Sequence, residues 1–165
     1  MNQAWETVAE NLRAEIAEYG RLLVLFEEQR NLIRRADPEG VLRVSNEIQA
    51  QVAVLDQCRH TRECEIEAFA KALGRPGSST LRSLLPLIVP DARPLLEALI
   101  AEVNLLIHRV RRDGRQNHRL LACAVECHQE VLRRLRPEAF TKTYAPDGRV
   151  SVAALRPMPL TSTAG

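Results

Sequence analysis

From Gln3 to Arg35 the chain contains no proline, and large, mostly apolar residues return every seven positions at Trp5, Leu12, Tyr19, Phe26 and Ile33. A second line, Ala9, Ile16, Leu23 and Arg30, runs four residues behind the first. A strand would repeat every second residue, whereas this spacing is the stripe of a coiled-coil helix. Gly20 is the one weak helix former in the stretch. About 33 residues predict a rod of roughly 50 Å.

Asp37, Pro38 and Gly40 break the stripe, with Asp37 placed to cap a new helix and Pro38 at its first position. The second rod is expected from about Glu39 to Leu73. Val41, Ile48, Leu55, Arg62 and Phe69 share one register, and Val52, Arg59, Ile66 and Leu73 the next. Folding the two rods back about residues 36–40 sets Ile33 against Val41, Phe26 against Ile48 and Tyr19 against Leu55. Glu15 then faces Arg59, and we expect Glu15, Arg59 and Arg62 to form a polar seam that fixes register. The alternative is that both arginines run their stems along the seam and reach water.

Gly74 to Thr80 combines Gly, Pro and Ser and predicts a loop. Ser79 or Thr80 can cap a short helix from Leu81 to about Leu85, limited by Pro86 and Pro90. Asp91 is the expected cap of a third rod beginning at Ala92, with Leu96, Leu99, Val103, Leu106 and Val110 on its apolar face. The face resumes at Leu120, Ala124, Cys127 and Val131, while Asp113 and Asn117 occupy the intervening heptad positions as further members of a polar seam. Gly114 would permit a bend, and Pro137 stops the helix after about Leu135. The expected fold is therefore all-α: a long antiparallel helical hairpin, a short connector helix and a third long helix. A helical domain over 1–140 is followed by a flexible tail over 141–165, in which Tyr144 precedes a Pro-Asp-Gly turn signal.

At 165 residues the chain suits one domain, and with aromatics at 4% it offers little for a sandwich, barrel or wide apolar pocket. No apolar run approaches the roughly 20 residues of a membrane span. Met1 to Glu10 lacks the basic and apolar regions of a secretory signal, so a cytoplasmic location is expected. In that compartment Cys58, Cys64, Cys123 and Cys127 are expected as thiols. Residues 1–72 carry 13 acidic and 9 basic side chains, and residues 73–165 carry 8 and 14. Arg109, Arg111, Arg112, Arg115 and Arg119 make the densest basic cluster, which could touch phosphates or lie solvated on a helix face.

Catalytic signatures are missing. No His has a Glu three positions before it, as a di-iron bundle requires, since those positions hold Gln57, Leu105, Arg115 and Val125. A Gly-rich phosphate loop and a nucleophile elbow are likewise absent. We expect no enzyme, cofactor or metal, and a protein whose resource is apolar helix surface.

Asn117-His118-Arg119-Leu120-Leu121, the helix after it, the Pro137 stop and Thr143-Tyr144-Ala145-Pro146-Asp147-Gly148 together resemble the C-terminal half of the FlgN family of flagellar export chaperones. The resemblance extends over most of residues 5–150, including the Leu73-Gly74 that closes the second rod. It departs at Asp113, where the family often has Asn, and at Ala145, where Gly is common. It implies a chaperone that holds the C-terminal helical region of hook-filament junction (hook-associated) proteins and hands them to the export gate. It also implies a client-binding surface at Leu120, Leu121, Val125, Leu132 and Leu135, and docking of Tyr144 onto the gate's cytoplasmic domain. The competing readings are a structural homodimeric coiled-coil adaptor without a client and a helical nucleic-acid binder.

Overall fold

The computed structural model describes residues 3–135, 142–144 and 150–152. The chain divides into two compact units, Met1–Leu120 and Leu121–Gly165. The boundary expected at 140/141 falls outside the described residues.

The first unit is built on α1 (Gln3–Arg34) and α2 (Pro38–Ala72), which form the expected antiparallel hairpin. The turn between them satisfies both helix ends. Ala36 adopts a left-handed conformation (φ 54°), and its N–H and that of Asp37 bond to Ile33 O and Leu32 O at 3.1 Å. This closes α1 in a Schellman arrangement. Asp37 then caps α2 as expected, its Oδ1 accepting from Gly40 N at 2.9 Å. Gly40 leaves room for this cap: a Cβ would lie 2.5 Å from Asp37 Oδ2 and 2.8 Å from Leu32 Cδ2, so both side chains would have to shift. At its other end α2 closes through Gly74 (φ 67°), with Gly74 N bonded to Lys71 O and Arg75 N to Ala70 O.

The buried line of α1 is Val8, Leu12, Glu15, Tyr19, Leu22, Phe26 and Gln29, alternating at intervals of four and three residues. The expected second line lies one residue off: Ile16 and Leu23 are only half-buried, while Ala9 and Arg30 are buried. A helix packed on two sides buries three heptad positions instead of two, and α1 is flanked by both α2 and α4. In α2 the same offset appears. Val52 and Arg59 are exposed, and Gln51 and Cys58 take the half-buried positions beside Val44, Leu55 and Phe69.

Thr80 is the cap of α3 (Leu81–Leu84), which leads into two 3-10 turns, Leu85–Leu87 and Pro90–Ala92. Leu81, Leu84, Leu85, Ile88 and Ala92 anchor this connector in the core. Asp91 lies inside the second turn instead of capping α4, because Pro90 starts that turn one residue earlier. Arg93 ties the connector down, donating to Ile88 O at 2.9 Å and Pro86 O at 2.8 Å.

α4 runs from Arg93 to Leu135 as one helix. The helix is unbroken at Gly114, where a Cβ would make ordinary contact with the Phe26 ring, 3.4 Å from Cζ. Within the first unit α4 follows α1 in the same direction, since Gly114 and Asn117 meet Phe26 while Val103 and Leu12 border one cleft nearer the α1 start. In the second unit, within the stretch expected to be a flexible tail, β1 (Lys142–Tyr144) pairs antiparallel with β2 (Val150–Val152). The Pro-Asp-Gly signal lies between two runs of strand-favouring residues. A two-stranded hairpin is of itself marginal in water.

Candidate functional site: helix α4 and its polar clamp

The apolar face of α4 changes character along its length. Leu96, Val103 and Leu106 are buried in the first unit, and then two polar residues, Asp113 and Asn117, occupy the same face and are buried as well. Asn117 Nδ2 donates to the backbone carbonyl of Phe26 and to Gln29 Oε1, both at 2.8 Å. Gln29 turns its other end to α2, its Nε2 donating to Ser45 Oγ at 3.0 Å. One buried amide thus links all three long helices. Beside it one guanidinium nitrogen of Arg30, Nη1, stands 3.5 Å from Asn117 Oδ1 and 3.7 Å from Asp113 Oδ2. Asp113 is also held by Arg112 at 2.9 Å, so its charge is met from two sides. Sequence reasoning singled out Asp113 and Asn117 but missed Gln29, the partner of Asn117.

A second polar pair crosses the hairpin. Glu15 has no solvent exposure, and its Oε2 lies 3.1 Å from Arg62 Nε. The expected partner, Arg59, is instead exposed and pairs with Asp56 at 3.6 Å. Helical side chains lean toward their own N-terminus, so a residue three positions beyond the facing level reaches back to it, while Arg59 itself leans past. Neither Glu15 oxygen nor Arg62 Nε has an aligned hydrogen bond. Tyr19 packs in the same layer. Burial chiefly, then the nearby Glu15 carboxylate, raises its phenol above the usual tyrosine pKa.

Beyond the clamp the apolar residues of α4 meet solvent. Leu120 and Leu121 are half-buried, whereas Val125, Leu132 and Leu135 are 53%, 51% and 73% exposed, with Val131 at 55%. Leu121, Val125 and Leu132 stand four and seven residues apart and so share a face. Tyr144 is at the turn end of β1, opposite Val150 in the ladder. The cysteines are free thiols, and the proximity of Cys127 raises the Cys123 pKa. Among the described residues no group of three or more His, Cys, Asp or Glu converges as metal ligands, and no helix is long and apolar enough to cross a membrane.

A family model described as FlgN protein matches residues 1–151. The chain belongs to the FlgN family. FlgN proteins are chaperones of flagellar type III export, not enzymes, and they bind flagellar hook-associated proteins. Comparison with curated proteins and with solved structures yields no match. In this FlgN-family chain Asp113 and Asn117 are the last buried residues of α4.

Proposed function

We propose that this protein binds the C-terminal helical region of hook-filament junction proteins in the cytoplasm, prevents their premature association and delivers them to the export gate. Client contacts are assigned to Leu120, Leu121, Val125, Leu132 and Leu135, and gate docking to Tyr144. The observation that carries this reading is the exposure of Val125, Leu132 and Leu135 on a helix that buries Leu96, Val103 and Leu106 nearer its start. An amphipathic client helix laid against that face buries leucines worth about 1.5 to 3 kcal/mol each before ordering costs are subtracted. No nucleotide is needed, and a moderate net affinity suits a client that must be released.

Co-purification with C-terminal segments of junction proteins tests the reading. The wild type should retain the segment, and Leu121→Asp combined with Leu132→Asp should lose it while far-UV circular dichroism stays helical. Retention by that double variant would move the site off α4.

The adaptor reading has one observation in its favour. Val24, Leu25, Ala50 and Val54 line an apolar groove of about 500 Å³ between α1 and α2, with Val24 67% exposed. Sedimentation separates the two: an adaptor is a stable dimer alone, whereas a chaperone gains mass when a junction segment is added.

A further inference from the structure

Between Glu102 and Glu126, α4 contains a single acidic residue, Asp113, and that residue is turned inward to Arg30. The same stretch carries Arg109, Arg111, Arg112, Arg115 and Arg119, all exposed. Arg111, Arg115 and Arg119 stand at four-residue intervals, where like charges on a helix repel and destabilise it. Several helix arginines elsewhere are matched with carboxylates, as in Arg21 with Glu18, Arg43 with Glu28 and Glu47, and Arg133 and Arg134 with Glu130. Among the described residues Arg109, Arg111, Arg115 and Arg119 have no acidic partner within ion-pair distance. The repulsion is uncompensated within this part of the fold. Arg112, Arg115, Gln116, Arg119 and Leu120 also line an open groove of about 630 Å³.

We propose that this arginine face of α4 is a docking surface for an acidic amphipathic helix of a partner protein. Charge complementarity identifies the occupant. Charges at four-residue intervals rise by about 6 Å, the spacing of carboxylates at every fourth position of a second α-helix. α4 has no Phe, Tyr or Trp to stack on bases, and a pI near 8.5 is below the strongly basic range of nucleic-acid-binding domains. Leu120 at the end of the groove supplies the apolar contact that an amphipathic helix, unlike a phosphate backbone, can use.

Fluorescence anisotropy on the full chain tests the proposal. The probe is a labelled alanine-rich peptide of about 20 residues, long enough to hold a helix, with Glu at every fourth position and one leucine per two turns. Controls are a peptide of the same composition with scrambled spacing and a DNA duplex of equal charge. The in-register peptide should bind most tightly, weaken steeply with salt, and lose about tenfold or more in affinity in Arg111→Gln/Arg115→Gln/Arg119→Gln. The variant itself should be no less helical. Tighter binding to the duplex, equal binding of the scrambled peptide, or undiminished binding by the variant overturns the proposal. Wild-type self-association that the three substitutions abolish also overturns it, because the occupant is then a second copy of the chain. Because Leu120 is also an assigned client contact, the probe is run in parallel on Leu121→Asp/Leu132→Asp: unchanged binding there separates the arginine face from the client face, and loss of binding overturns the proposal.

Discussion

Arg62 Nε stands 3.1 Å from Oε2 of a Glu15 side chain that has no access to water. Breaking such a pair leaves an uncompensated charge in the core, which is more damaging than never having had it. Arg62→Ala should therefore lose about 3 kcal/mol in urea unfolding, the lower end for a buried pair because Arg62 keeps an edge in solvent. Arg59→Ala, at an exposed position, should change stability by less than about 0.5 kcal/mol. Glu15→Leu with Arg62→Leu should be neutral or more stable than wild type. If Arg59→Ala proved the more harmful, the assignment of the partner would be wrong.

Asn117→Ala should cost about 2 to 3 kcal/mol, since it removes two hydrogen bonds of 2.8 Å and strands the buried Gln29 carbonyl oxygen. Equilibrium denaturation of the single variant measures this directly.

The backbone offers a contrast between two small residues. Ala36 is left-handed, so Ala36→Gly should stabilise the hairpin by about 1 kcal/mol, while Gly20, with nothing within 4 Å of a built Cβ, should gain about 0.5 to 1 kcal/mol on replacement by Ala. Thermal melts should rise for both, and for the two combined by nearly the sum, because the sites share no contacts.

Tyr19 gives a pH signature. Its native pKa is raised, so between the unfolded value near 10 and the native value the folded state holds the proton that the unfolded state has lost. The contribution is complete below the unfolded pKa and disappears as pH rises through the native one. Melting curves from pH 8 upward should show an alkaline decline that is shallower in Tyr19→Phe.

On the gate-docking assignment, Tyr144→Ala should leave junction-segment binding unchanged and weaken capture by the gate's cytoplasmic domain. A parallel loss of both would return Tyr144 to a structural role.

The rods, the Asp37 cap and the Thr80 cap were legible because each rests on local spacing or on a side chain bonding to nearby backbone. The seam was harder to place. In α1 the true second line includes Glu15, which was expected in the seam opposite Arg59, and Gln29, a polar residue that an apolar stripe passes over and whose burial depends on partners from α2 and α4 distant in sequence. The Arg62 pairing depended in addition on the lean of helical side chains. The continuity of α4 to Leu135 was legible because the heptad frame carries through Asp113 and Asn117 to Pro137, and one glycine weakens a helix without ending it.

The Gln29 side chain serves two helix seams with one planar group. If α4 lifts from α1, the amide loses the partner that holds its oxygen, and the nitrogen bonded to Ser45 is no longer fixed in orientation. Opening one seam therefore loosens the other, and the three rods around this node should protect their amide protons from exchange as a single cooperative foldon, with no stage at which the hairpin stands intact and the third rod hangs free.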